Sequence, residues 1–275
     1  MTAKDILEEL KPLGRESYKR VLMNNHGVKE PCFGVSIGEL KKFQKRIRKD
    51  YQLALDLYDT GNYDAMYLAG LIADDAHMTG TDLQRWVEKA YGGSLPGATV
   101  PWVAAGSPHG REMALKWIES ANSLVAAAGW ATLSSLVAIK DDRELNLPEL
   151  QRLLERVKTT IRGAADAVRY QMNGFVIAVG SYVEPLTEFA LQIGEKIGPI
   201  TANLGDNSCQ VPSAPDYIRK VQERGAVGKK RKTAKCLGPD MLARSPINWI
   251  HPMSGQRVPW NCGCRGMPRT GDPGP

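Results

Sequence analysis

Asn122-Ser123-Leu124-Val125-Ala126-Ala127-Ala128-Gly129-Trp130-Ala131-Thr132-Leu133-Ser134-Ser135-Leu136-Val137-Ala138-Ile139-Lys140 is the stretch on which the fold turns. Between its polar ends nearly every position is small or apolar. The run is too long for an ordinary strand and has no two-residue alternation. It predicts a helix over about 122–140 that is packed on several sides, because a helix apolar all round has no face to give to water. Such a helix needs other helices around it.

Those helices are legible on both sides. Downstream, Pro148 opens one through Leu150, Leu153, Leu154, Val157 and Ile161. Residues 165–183 give another through Val168, Met172, Phe175, Val176, Val179 and Tyr182, and Pro185 sits in the first turn of a third through Leu186, Phe189, Ala190 and Ile193. Upstream, Ser107-Pro108 supplies a cap and a first-turn proline for a helix carrying Met113, Trp117 and Ile118. Residues 92–108 read as a proline-containing loop. Before it, Leu83, Trp86 and Val87 mark one helix and Tyr63, Met66, Tyr67, Leu71 and Ile72 another. Ser36-Ile37-Gly38-Glu39 reads as a capping box in front of Leu40, Phe43 and Ile47. About ten helices in succession, in pairs some 35–45 residues apart, match the spacing of HEAT-like repeats. The expected fold is all-α: a curved stack of antiparallel helix pairs, a HEAT-like or ARM-like α-solenoid, over residues 1–235. The last forty residues hold 7 Pro and 6 Gly without an apolar period, so 236–275 is expected to be a disordered tail.

The 275 residues, 24% charged and 43% hydrophobic, are enough for a sizeable core. No stretch of eighteen or more apolar residues is present, so no membrane-crossing helix is expected. The charged start and five scattered cysteines point to a cytoplasmic protein without a disulfide framework. The net charge of +6 is unevenly spread: residues 1–50 carry +5, 51–214 carry −7 and 215–235 carry +6. Basic flanks suggest a polyanionic partner, nucleic acid first.

Two groups carry that suggestion. Lys41, Lys42, Lys45, Arg46, Arg48 and Lys49 follow one another, with Lys41, Lys45, Arg48 and Lys49 on nearly one helical stripe. Lys229, Lys230, Arg231 and Lys232, followed by Lys235, form the second. Each cation that neutralises a phosphate releases condensed counterion, which makes binding salt-dependent but not sequence-specific. Trp102, read as a loop residue between Pro101 and Val103, is a candidate for stacking on a base or capping the core. Trp86, Trp117 and Trp130 belong to the core. Cys32 and Cys209 read as buried thiols, and Asp74-Asp75 beside His77 as a helix end. Cys236, His251, Cys262 and Cys264 match no paired metal-ligand plan, and no P-loop, dinucleotide-binding, HExxH or GxSxG motif is present. No metal, cofactor or membrane partner is expected.

Several segments resemble the bacterial DNA alkylation repair proteins of the AlkD type. They are Glu39-Leu40-Lys41-Lys42-Phe43, Tyr67 through Asp75, Val100-Pro101-Trp102-Val103, Ser107-Pro108-His109-Gly110, Gly129 through Leu136 and Arg169 through Val183. The resemblance covers about residues 5–235. It implies a curved helical stack whose basic concave face holds duplex DNA. For active relatives it implies a monofunctional glycosylase that removes cationic N3- or N7-alkylated purines, with an Asp and Trp side chains stabilising the developing sugar charge. That Asp would stand four residues after a Trp matching Trp102, at a position held here by Gly106. The Arg-rich helix start implied near Ala126–Trp130 has no Arg, and the later Trp implied near Phe175–Ile177 is absent. The expected function is therefore DNA binding, to duplex or distorted DNA, without that Asp. The alternatives are a glycosylase with a substitute carboxylate, Glu112 or Asp82 being nearest in sequence, and a protein-interaction scaffold.

Overall fold

A computed structural model describes residues 1–203 and 211–235, together with the backbone of 249–250 and 257–258. Thirteen α-helices run through the described residues: α1 Ala3–Leu10, α2 Glu16–His26, α3 Ile37–Ile47, α4 Tyr51–Asp59, α5 Tyr63–Ile72, α6 Gly80–Lys89, α7 Val100–Gly106, α8 Gly110–Trp117, α9 Ser123–Ile139, α10 Leu147–Thr160, α11 Asp166–Tyr182, α12 Thr187–Ile197 and α13 Ala214–Glu223. They stack as HEAT-like antiparallel pairs. The expectation for 236–275 lies outside the described residues, except that Trp249–Ile250 and Arg257–Val258 pair as a two-residue antiparallel ladder.

The apolar stretch of the sequence is α9, and it is central. Its residues from Val125 to Ala138 are all buried. It packs on α7, α8 and, most extensively, α11. Small residues allow the close approach: a Cβ at Gly129 would lie 2.7 Å from the Ile118 amide nitrogen. Trp86, Trp117 and Trp130 are fully interior. The core forms two contiguous clusters, one built on α1 to α7 and one on α9 to α13, which meet along α8 and α9. No single helix among the described residues is long and apolar enough to cross a membrane.

Local chemistry sets the helix boundaries. Thr2 and Thr79 close reciprocal capping boxes with Asp5 and Asp82, and Asn62 and Asp50 cap α5 and α4. At Ser36 only one arm of the expected box forms: its hydroxyl accepts from the Glu39 amide, while the Glu39 carboxylate turns to Lys42 instead. α1 and α2 are additions to the expected set. Their buried faces are thin, with Ile6 and Leu10 in one and Leu22 in the other.

The expected loop 92–108 is mostly helical. A π-helical turn, Leu95–Thr99, runs directly into α7. Pro96 and Pro101 sit in first turns, where a missing amide hydrogen costs nothing. α8 then begins at Gly110 rather than at Pro108. The Ser107 hydroxyl closes a turn by donating to the Ala104 carbonyl and accepting from the His109 amide.

Candidate nucleic-acid interface

The first basic group is built by α3. Leu40 and Phe43 bury its inner face, which turns Lys41, Lys42 and Lys45 outward. The expected stripe of four cations stops short, because α3 ends at Ile47. Arg48 takes a left-handed φ of 66° so that Asp50 can cap α4, and Lys49 therefore leaves the helical stripe. Lys42 pairs with Glu39 at 2.8 Å. Arg46 turns to Glu9 at 2.8 Å and lies over the Phe43 ring. Lys49 pairs with Asp74 at 3.1 Å. Lys41, Lys45 and Arg48 have no ion-pair partner among the described residues.

The second basic group is an irregular segment that follows α13 and crosses the molecule. The Gly228 amide donates to the Ser181 carbonyl at 3.0 Å and the Arg231 amide to Ala138 at 2.7 Å. The Lys230 ammonium donates to the Val137 carbonyl at 2.9 Å and pairs with Asp142 at 2.7 Å. The Lys235 ammonium donates to Ala73 at 2.8 Å and pairs with Asp75 at 2.7 Å. Ala226 and Val227 pack on the second core cluster, whereas Ala234 is buried in the first. Lys230 is thus an internal anchor rather than an exposed contact. Arg231 is half-buried, and its side chain reaches the Ala234 carbonyl. Lys229 and Lys232 are exposed, with no ion-pair partner among the described residues.

The two groups meet at Asp74-Asp75, on the turn after α5. Asp74 accepts from Lys49 and, at 2.9 Å, is bonded to His77 Nδ1. Those two partners hold its carboxyl below the usual value. Asp75 and Lys235 lie beside it, and the Lys49 charge acts on both. Burial pushes the Asp75 carboxyl up against the pull of Lys235, and burial pushes Lys235 down against the pull of Asp75.

Trp102 is a core residue on α7, 4% exposed and edge-on to the Tyr67 ring at 5.9 Å. It is not the loop residue that its two flanking positions suggested, and no base reaches its face without unpacking the core. Position 106 ends the same helix. A Cβ there would lie 2.5 Å from Asp75 Oδ2, and the three atoms closest to it all belong to Asp75. Asp75 thus places a carboxylate against the backbone where the resemblance implied a side-chain carboxylate, a long-range approach with no local signal in the sequence. Neither sequence neighbour does so. Glu112 is exposed on α8. Asp82 caps α6 and accepts from Tyr51 at 2.8 Å; burial opposes its ionisation, but the bonds from Thr79 and Tyr51 prevail and its carboxyl lies below the usual value. The Ala126–Trp130 and Phe175–Ile177 positions are interior, with Phe175 packed on Trp130 at 5.3 Å. The Cys236, His251, Cys262 and Cys264 grouping lies outside the described residues, as does Cys209. Cys32 is buried.

The family model described as DNA alkylation repair enzyme matches residues 6–196, well over half of the 275. The chain belongs to the DNA alkylation repair family. Among its relatives are Lin0241 of Listeria innocua and Lmo0209 of Listeria monocytogenes, both described as uncharacterized. Each is 32% identical over 209 residues, which is 74% of this chain and 90% of the relative. A solved structure described as "a new family of proteins related to the HEAT-like repeat DNA glycosylases with affinity for branched DNA structures" is 35% identical. It superposes with a TM-score of 0.79, over 86% of this chain and all of that one. Membership of the DNA alkylation repair family thus rests on the same helices, α1 to α12, that carry the basic group of α3, Asp75 and Gly106.

Proposed function

We propose that this chain is a DNA-binding protein of the alkylation-repair family that holds duplex, branched or distorted DNA by phosphate contacts and does not excise a base. The observation that carries the proposal is the convergence of two basic segments, nearly two hundred residues apart in sequence, on Asp74-Asp75. Lys41, Lys45, Arg48, Lys229 and Lys232, on the two segments so joined, have no ion-pair partner among the described residues and are the cations left for phosphate. The affinity of the structural relative for branched DNA supports the same reading. Contacts to phosphate without base readout suit recognition by shape.

The absence of excision follows from Asp75. An oxocarbenium-like sugar needs an uncommitted carboxylate nearby. The carboxylate at Gly106 is already neutralised by an ammonium 2.7 Å away and largely shielded from solvent. The test uses the full chain with an end-labelled duplex carrying 7-methylguanine and a four-way junction, across a salt series, with free base measured in the same tubes. With five phosphate contacts, log K is expected to fall with log salt at a slope of about 4 to 5, with no base released. Base release lost on Asp75→Asn would overturn the proposal in favour of a glycosylase. Absence of binding at low salt would leave the scaffold reading.

A further inference from the structure

The segment 226–235 follows a particular line. It touches the C-terminal carbonyls of α11 (Ser181), α9 (Val137 and Ala138) and the residue after α5 (Ala73), in that order. The last four carbonyls of a helix have no intrahelical partner and carry the negative end of the helix dipole, roughly half an elementary charge. Helices commonly place a Lys, Arg or His in their own last turn to offset it. None of α5, α9 and α11 does so. The C-terminal part of each is interior: α5 is buried at every position, α9 from Val125 to Ala138 and α11 from Met172 to Tyr182. Their C-terminal poles, together with Asp75 and Asp142, would leave this edge negative and repel a phosphate backbone.

We infer that residues 226–235 are a charge-reversing strap, in which Lys230 and Lys235 cancel the negative helix ends from within while Lys229 and Lys232 present the resulting positive edge to nucleic-acid phosphates. The inference rests on the DNA-binding reading above and assigns separate tasks to four lysines in one short run. The inward pair are positioning residues: each bonds a helix-end carbonyl and pairs with a carboxylate. The outward pair are exposed and unpaired among the described residues.

The test is amine footprinting of the full chain with sulfo-N-hydroxysuccinimide acetate, read by mass spectrometry, free and with a four-way DNA junction. In the free protein Lys229 and Lys232 are expected to acetylate at least tenfold faster than Lys230 and Lys235. In the complex, their acetylation is expected to fall tenfold while the inward pair stay slow. A junction complex, verified by mobility shift, in which Lys229 and Lys232 react as fast as before overturns the strap alone. Failure to form any complex at low salt overturns the DNA-binding reading with it. Equal reactivity of all four lysines in the free protein overturns the anchoring. As a second arm, Lys229→Gln/Lys232→Gln should lower the salt slope by about 2 at an unchanged melting temperature. Asp75→Asn/Lys235→Met keeps both outward charges but frees the strap, and should weaken junction binding fivefold or more. Unchanged binding by that folded variant would show that the anchor is structural only.

Discussion

At Gly106 and Asp75 a missing side chain and a half-buried carboxylate share one small space. Any Cβ at 106 must displace Asp75 Oδ2, which is 2.5 Å away and tethered by Lys235. Gly106→Ala should therefore cost about 1–3 kcal/mol by overpacking, read as a lower midpoint in urea. Asp75→Ala should cost more, about 3–5 kcal/mol, because it leaves the Lys235 ammonium buried without its partner. Asp75→Ala/Lys235→Met should recover most of that loss. The neighbouring Asp74 behaves oppositely because it is near the surface. Its carboxyl is held below the usual carboxylate range by Lys49 and His77. A depressed pKa means that this contribution is present above the ordinary carboxylate range and is lost as the pH falls through the folded value. Carboxyl-carbon NMR should show Asp74 titrating below an ordinary aspartate, and Lys49→Gln should move it upward. The Cys32 thiol is pushed up to about 12, chiefly by burial. Iodoacetamide at pH 8 should thus modify it only once the chain unfolds. The buried character of Trp86, Trp117 and Trp130 is legible in the sequence from their apolar helical faces, and that of Cys32 from its standing alone beside a proline. The approach of Asp75 to position 106 is not, because contacts between residues this far apart leave no periodic trace.

Elements are readable where a helical pattern of apolar residues runs uninterrupted, with a proline at most in its first turn, and are lost where prolines stand close together. α3, α10 and α11 follow from apolar spacing and their start signals, and α9 from its unbroken small and apolar run. α7 was hidden because Pro96 and Pro101 read as breaks, although each occupies a first turn. With α7 read as a loop, stacking on a base stays open for Trp102 beside capping of the core. The strap was misread for a different reason. Outside regular structure nothing in the residue order distinguishes an inward lysine from an outward one, so Lys229 to Lys232 looked uniform. At the end of α3, Arg48 is the non-glycine residue with positive φ among the described residues, a conformation costing on the order of 1 kcal/mol. Arg48→Gly should relieve that strain and leave thermal stability equal or slightly higher. The same change should lower the salt slope of DNA binding by about 1. Separation of the two effects would place Arg48 at the interface and not in the fold.

Across the whole molecule, two apolar clusters are joined from within by α8 and α9 and from outside by residues 226–235, whose ends pack on different clusters. Removal of everything after Lys235 should be compared with removal of everything after Arg224. The second variant loses both ion-paired anchors and the burial of Ala234, and should melt below the first by roughly 2–4 °C for each kcal/mol lost. The same arrangement orders events during synthesis. The strap is made after all thirteen helices, so a growing chain can pack its helical body while the helix ends on this edge are still bare and negative. On the strap reading, Asp142 and Asp75 receive their Lys230 and Lys235 partners last, so the edge takes its final charge only once residues 229–235 have left the ribosome and folded back.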